Sequence, residues 1–435
     1  MIKKLLFAIC LILFVIPTIV SAEQTNDNKY YKLEKLVILS RHNIRAPLSG
    51  NGSTLSEITP HKWFKWSSAP SELSLRGGEI ETLMGQYFKQ WLVSEDFMTE
   101  NYIPADGEFR FYANSMQRTI ATAQYFSSGM LPVANVRIEH KFKLNEMDPV
   151  FNPKLSFVND SFRAKAIEQI SEMGGADGLK GIGESLQNEY KTLEKVLDMN
   201  KSDYAQKNNF IGFKTDDLEM VLELNNQPAV NGSLKLATQA SDALVLQYYE
   251  EPDAKKAAFD HKINYEQWEQ IGRIKDIYGD VLFTAPIVAV NVAHPLLKVM
   301  NEELSLKNRK FTFLCGHDSN IASVLAALEV EDYSLPNTIE KKTPIGSKVV
   351  IQKWHCRDGV DYASVNLIYP STEQLRNRTI LTLQTPPMIY QLKFKRLSQN
   401  EDGLYKFSDL QERFQKAINA YNDILQDVES LKEAA

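Results

Sequence analysis

Apolar positions along this chain fall into distinct patterns, and each predicts an element. At the amino terminus they run almost unbroken: Lys3 and Lys4 precede an apolar stretch over 5–20, interrupted by Pro17 and followed by Val20-Ser21-Ala22. Small residues at the end of a run shorter than the ~20 residues of a spanning helix predict a secretory signal peptide over 1–22. Cys10 sits inside that run with no small residue before it, which argues against a lipid-attachment cysteine. No later stretch is long and apolar enough to span a bilayer. The processed protein is therefore expected in the periplasm or secreted, off the membrane.

The next pattern is a buried strand over 33–39, where Leu36-Val37-Ile38-Leu39 has no polar alternation, as in a strand covered on both faces. Leu83, Tyr87 and Trp91, four residues apart, predict a helix over 76–92. Residues 109–113 alternate like a strand, after which Asn114 or Ser115 is placed to cap a helix carrying Arg118, Ile120 and Tyr125. From 150 to 280 the chain turns polar and helix-prone, with helices expected over 162–173, 179–198, 234–249 and 268–277. Strand character returns at 310–315, followed by a helix over 321–328, strands over 348–354, 364–369 and 388–394, and a helix over 410–425. Strand-then-helix units on either side of a helical insert predict an α/β fold. The expected architecture is a mostly parallel central sheet flanked by helices, with an inserted α-helical cap. The divisions are 1–22 signal peptide, 23–149 core, 150–280 cap and 281–435 core.

Composition narrows the class of function. The chain is 43% hydrophobic and 24% charged, which is globular, and its 49 Lys+Arg against 55 Asp+Glu leave a net charge of −6. With no block of Lys and Arg it lacks the footprint that nucleic-acid binding needs. Beyond the leader only Cys315 and Cys356 remain, which an oxidising compartment permits to bridge and which also suit two core thiols. Neither cysteine has Cys or His partners at zinc spacing, and the seven histidines are scattered, so no metal and no cofactor are expected.

Two segments end buried strands with polar, chemically able residues: Arg41-His42-Asn43-Ile44-Arg45-Ala46-Pro47 and Gly316-His317-Asp318-Ser319-Asn320. In open α/β sheets ligands sit beyond the carboxyl ends of the strands, so both segments are placed to face one pocket, and Arg118 at a helix start can join them. Arg41, Arg45 and Arg118 are forked, permanently charged donors suited to phosphate oxygens. Neighbouring cations keep His42 neutral and therefore nucleophilic, and His317 adds a donor. A protonated Asp318 can hand its proton to a departing alcohol. Nucleophile, charge clamp and acid together predict phosphomonoester hydrolysis through a phosphohistidine, with arginines in the role that metal cations play elsewhere.

These two segments resemble the signature and the second motif of the histidine acid phosphatases, and within that family the glucose-1-phosphatase branch. The resemblance also runs through 113–125, 244–250, 316–328 and 343–354, and is least clear over 156–231. It implies His42 as phosphate acceptor, Asp318 as proton donor, and Arg41, Arg45, Arg118 and His317 as phosphate-binding residues. It also implies Glu250, in Gln247-Tyr248-Tyr249-Glu250, as a substrate-binding residue reaching a hydroxyl. Asn43 stands where the commonest family pattern has Gly, a feature that the sugar-phosphatase branch shares. Leu48-Ser49 follows Pro47 where phytate-degrading relatives tend to carry a basic residue, which favours a sugar phosphate such as glucose 1-phosphate over phytate. The alternatives are a phytase or inositol-phosphate phosphatase on the same machinery, or a catalytically silent binding protein for phosphate esters. The partner is expected to be a small-molecule phosphomonoester, and the chain is expected to work as a monomer or homodimer.

Overall fold

The central sheet is built around the apolar run of 36–39. The structure, a computed structural model, describes residues 30–48 and 53–433, with side chains as far as residue 425; the expected signal peptide over 1–22, with Cys10, and Ser49 lie outside the described residues. The strands are β1 (Tyr31–Arg41), β2 (Phe109–Ala113), β3 (Ile138–Glu139), β4 (Glu219–Val221), β5 (Ala229–Asn231), β6 (Phe311–Gly316), β7 (Lys348–Cys356), β8 (Asp361–Tyr369), β9 (Met388–Gln391) and β10 (Tyr405–Lys406). Eight of them form one sheet in the order β10-β8-β7-β1-β6-β2-β3, with β9 also paired to β8, while β4 and β5 make a separate hairpin.

The sheet is mixed. β1, β6, β2 and β3 pair in parallel, and β7, β8, β9 and β10 join through antiparallel pairings. Only residues 357–360 separate β7 from β8, and a parallel pair needs a crossover of roughly a dozen residues or more, so those two strands have to run antiparallel. The parallel half carries the polar segments.

Side chains of β1 alternate between two cores. Leu36 and Ile38 pack with Met84, Phe88 and Phe126 of the helices Leu75–Ser94 and Gln117–Met130. Val37 and Leu39 pack with Leu296 and Met300 of the helix Pro286–Ser305 and with Ile321 and Val324 of the helix Asp318–Ala327. Helices on both faces explain why this strand is apolar throughout. The helix Pro286–Ser305 has no clean sequence signature, because it is buried on several sides, rich in Val and carries Pro295 inside.

The helix Leu75–Ser94 begins against the polar segment after β1. A Cβ on Gly77 would stand 2.3 Å from the carbonyl oxygen of Ile44, so only glycine allows this approach. The helix Gln117–Met130 is capped by Met116 without a side-chain bond. Asn114 and Ser115, expected to cap it, are engaged elsewhere: Asn114 with His317 and Met147, and Ser115 Oγ with the Phe142 amide. Between Asp160 and Phe283 the longer helices are Asp160–Ser171, Gly178–Glu184, Gln187–Leu197, Ser233–Glu250 and Tyr265–Phe283; the helix expected over 179–198 is thus two. Among the described residues no single helix is long and apolar enough to cross a membrane.

Cys315 and Cys356 are free and buried. Register explains why they do not meet: Cys315 lies opposite Ser40 and Cys356 opposite Tyr31. The two partners sit at opposite ends of β1, about 30 Å apart at strand rise.

One buried ion pair fastens β7 to the helix Leu75–Ser94. Lys348 Nζ and Glu81 Oε1 are 2.7 Å apart and both side chains are fully buried. Glu81 Oε2 accepts from the side-chain Nδ2 of Asn43 at 2.7 Å. Glu81→Ala leaves Lys348 charged and unpaired in the core and is expected to cost about 3–5 kcal/mol. The urea midpoint measures this, and an unchanged midpoint would show that the pair carries none of the stability.

Candidate active site

β1 and β6 run side by side in parallel register, with Arg41 opposite Gly316, so both strands release their polar residues at one level. The His42 amide donates to the Gly316 carbonyl at 3.1 Å, and Gly346 donates to the His42 carbonyl at 3.1 Å. The His42 and His317 rings stand edge to face with centroids 5.6 Å apart.

Hydrogen bonds fix both tautomers. His42 Nδ1 lies 2.9 Å from the carbonyl oxygen of Asn43, which only accepts, so Nδ1 carries the proton and Nε2 the lone pair. Nε2 has no hydrogen-bond partner among the described residues. Asn43 holds its own place by donating to Glu81 and accepting from the Ile44 amide at 2.8 Å. Asn114 Oδ1 accepts from the Asp148 amide, so its Nδ2 donates to His317 Nε2 at 2.7 Å. His317 then carries its proton on Nδ1, a free donor. Burial, with Arg118 and Arg45 nearby, holds His42 well below the usual imidazole range. Burial and Arg118 do the same to His317. Both rings are neutral at neutral and mildly acid pH.

The cations differ in how well they are matched. Arg41, 1% exposed, donates through Nη1 to Glu340 Oε1 at 2.7 Å and to the Thr343 carbonyl, and its Nη2 lies 3.5 Å from Asp318 Oδ2. Arg45 pairs with Asp242 Oδ2 at 3.0 Å. Arg118, 9% exposed, has no ion pair or side-chain hydrogen bond among the described residues. Burial and Arg45 push its guanidinium down to about 10, still charged. It also stands in the first turn of its helix, where the helix dipole disfavours a cation. A buried, unpaired arginine at that position is costly, and an anion is what would complete it.

Three further residues were not legible as site residues in the sequence: Asp242, Lys275 and Glu340. Lys275 Nζ stands 3.1 Å from Asp242 Oδ1, 3.2 Å from Asp318 Oδ2 and 3.3 Å from Glu340 Oε1. Burial opposes charge on Asp242, but Arg45 and Lys275 prevail and hold its carboxyl down at about 2. Asp242 did leave a signal, as the one acid between Lys235 and Glu250 on a helix of mostly apolar and small residues. Lys275 sits on an ordinary amphipathic helix and Glu340 in a loop, so neither stood out.

Asp318, 34% exposed at its side chain, reaches the cavity from the first turn of its helix. Burial alone raises its carboxyl, yet Lys275 and Arg41 outweigh burial and hold it well below the usual carboxylate range. Before substrate arrives it is a carboxylate.

These groups border a cavity of about 400 Å³, lined by His42, Arg45, Arg118, His317 and Asp318. The helices Ser233–Glu250 and Tyr265–Phe283 close it with Thr238, Gln239, Asp242, Lys275 and Asp276. Burial pushes the Asp276 carboxyl up to about 7. A larger cavity of about 960 Å³ contains none of His42, Arg45, Arg118, His317 and Asp318.

Two of the expected residues, Arg41 and Glu250, are not among those lining the cavity. Arg41 is held by Glu340 and Thr343, while Glu250 Oε2 accepts from Ser74 Oγ at 2.8 Å. Glu250 is also the more remote along its own element. It lies two turns beyond Asp242 on the same helix, about 12 Å farther along the axis, which puts it at the base of the helix Leu75–Ser94. The structure thus places Glu250 on Ser74 and outside the cavity lining, away from the position a hydroxyl-binding role calls for.

The family described as the histidine phosphatase superfamily (branch 2) matches residues 32–370. The chain is 35% identical to a glucose-1-phosphatase of Providencia rettgeri over 410 residues, covering 93% of this chain and 95% of that protein. It is 35% identical to a glucose-1-phosphatase of Salmonella typhimurium over 408 residues, covering 92% and 96%. Among solved structures, the apo form of Hafnia alvei phytase is similar with a TM-score of 0.81 and 25% identity, covering 90% of this chain and 98% of that one.

Proposed function

The chain belongs to the histidine phosphatase superfamily (branch 2), and from that membership we propose an acid phosphomonoesterase that works through a phosphohistidine on His42. One observation carries the reading: a buried, neutral His42 with a free Nε2 lies in the same cavity as Arg118, a buried guanidinium without a partner among the described residues. The phosphoryl oxygens take up Arg118, the free edges of Arg41 and Arg45, and the Nδ1 proton of His317. His42 Nε2 attacks phosphorus, the P–O ester bond breaks, and the leaving oxygen takes a proton from Asp318. Water then attacks the phosphohistidine, giving its proton to Asp318 and releasing inorganic phosphate. The arginines supply the cationic charge, so turnover is expected to survive a chelator.

Asp318 needs a proton that the free protein does not hold. A bound phosphoryl group competes for Lys275 and Arg41 and adds negative charge nearby, and both effects raise the carboxyl. Low pH helps the acid while leaving His42 unprotonated, so kcat/KM is expected to hold or rise from pH 7 to about 5. A steep fall over that range would mean that His42 titrates there.

Sugar phosphates are the proposed substrate class, with glucose 1-phosphate first. Leu48 lines the cavity beside Pro47, and Thr238, Gln239 and Gln227 offer hydroxyl partners. Residues 150–280 act as the cap that brings Asp242 and Lys275 to the site, between core portions 23–149 and 281–435. The proposed setting is the periplasm or the exterior, following the expected leader. At about pH 5, glucose 1-phosphate is expected to turn over faster than phytate, and phytate preference would move the assignment to an inositol-phosphate phosphatase.

A further inference from the structure

A second cluster of chemistry-bearing side chains lies away from the cavity-lining residues. His61 Nε2 and His261 Nε2 stand 2.8 and 2.9 Å from one atom, Asp198 Oδ2. All three donor atoms lie within 4.8 Å of one another. They come from separate stretches of chain: the loop after the helix Thr54–Glu57, the residue ending the helix Gln187–Leu197, and the turn ahead of the helix Tyr265–Phe283. The other oxygen, Oδ1, is held by Lys201 at 2.9 Å, which leaves Oδ2 alone facing the imidazoles.

The backbone around the cluster is unusual in its own right. Asp198 (φ +48°), Phe259 (+50°) and Asp260 (+68°) all occupy the left-handed region without being glycine. Such residues persist only where their surroundings hold them, and they gather at functional sites. Phe259 also stacks on the His61 ring, with centroids 5.0 Å apart and planes 11° from parallel. All three donors are only half-buried, so a hydrated ion can reach them.

We propose that His61, Asp198 and His261 form a structural site for a divalent transition metal of the zinc class. Two imidazole nitrogens and one carboxylate oxygen suit zinc and disfavour magnesium or calcium, which require oxygen ligands. On binding, each imidazole presents its Nε2 lone pair to the ion and carries its proton on Nδ1. Ligand atoms around tetrahedral zinc lie about 3.3 Å apart, so the present contacts need to open by only about half an ångström. Water fills the fourth position. The ion braces rather than catalyses: Trp63 Nε1 in the His61 loop donates to the Leu55 carbonyl at 2.7 Å, and Leu55 lines the cavity. The helix after His261 carries Lys275.

The test is calorimetric titration of the chelator-dialysed protein with Zn²⁺ alone at neutral pH, with Co²⁺ as a spectroscopic probe. One equivalent is expected to bind, with a Co²⁺ visible spectrum of low coordination. His61→Ala and His261→Ala are each expected to weaken binding at least about 100-fold, since losing a direct ligand costs no less than losing its outer partner. His355→Ala, which disrupts the separate group of Glu34, His355 and Asp361, is expected to change nothing. Zn²⁺ should raise Tm by several degrees in the parent and not in the two ligand variants, while phosphatase turnover in EDTA stays unchanged. Metal-free Tm values close to the parent's verify that the variants fold. Absence of stoichiometric binding, or binding that survives both His61→Ala and His261→Ala, overturns the proposal.

Discussion

His42→Ala is expected to remove turnover on every phosphomonoester, by on the order of 10⁵-fold or more, the scale of an enzyme that loses its nucleophile. The loss should be one of chemistry and not of binding. Arg41, Arg45, Arg118 and His317 keep their positions, because the backbone bonds from residue 42 to Gly316 and Gly346 do not depend on the side chain. Inorganic phosphate should therefore still bind as a competitive inhibitor binds the parent, and thermal unfolding in saturating phosphate should still be delayed. A variant that retains more than about one per cent of parental kcat would require another nucleophile. His317 is the nearest alternative ring, but its Nε2 is occupied by Asn114 and its free position is a donor.

Asp318→Asn is expected to divide substrates by leaving group. Alkyl and sugar phosphates need a proton on the departing oxygen, so their kcat should fall by about 10²–10⁴-fold. For p-nitrophenyl phosphate, whose leaving group departs as a stable anion, the fall should be much smaller. In the parent, Lys275 at 3.2 Å and Arg41 at 3.5 Å hold the free carboxyl in its charged form. Substrate displaces that balance, so the alkaline limb due to Asp318 should lie at higher pH in kcat than in kcat/KM. In the variant that limb should disappear for alkyl substrates. Equal losses on both substrate types would argue that Asp318 acts through the charge network and not as an acid. Lys275→Met offers a cross-check: it frees Asp318 from its nearest cation and should move the free-enzyme limb upward.

How much of this was legible in the sequence depends on the range of the interaction involved. The β1 run of 36–39 and the strand before Gly316 announced themselves because complete burial strips polar residues from a strand. Their ends were then the only places where Arg41, His42, Arg45, His317 and Asp318 had a reason to cluster. Arg118 followed from its position at a helix start. The antiparallel half of the sheet was hidden, because strands 348–354 and 364–369 read alike in either direction and only the short connection decides. On the helix Ser233–Glu250 it is Asp242, two turns before Glu250, that lines the cavity, a difference that a matching motif does not reveal. Lys275 and Glu340 enter through contacts between distant stretches of chain, 65 residues apart for the pair itself, which leave no local pattern. The same holds for His61 and His261, scattered along the chain and gathered only by the fold.

The central claim is a covalent phosphate on His42, and trapping it is the most direct test. Parent protein mixed with p-nitrophenyl phosphate is quenched in alkali within the first turnover, digested and analysed by mass spectrometry for phosphohistidine, which alkali preserves. The account predicts a single phosphorylated peptide containing His42, approaching one phosphate per chain at early times and absent from His42→Ala. Steady turnover with no phosphorylated His42 under those conditions, or phosphate found on a different residue, would contradict it.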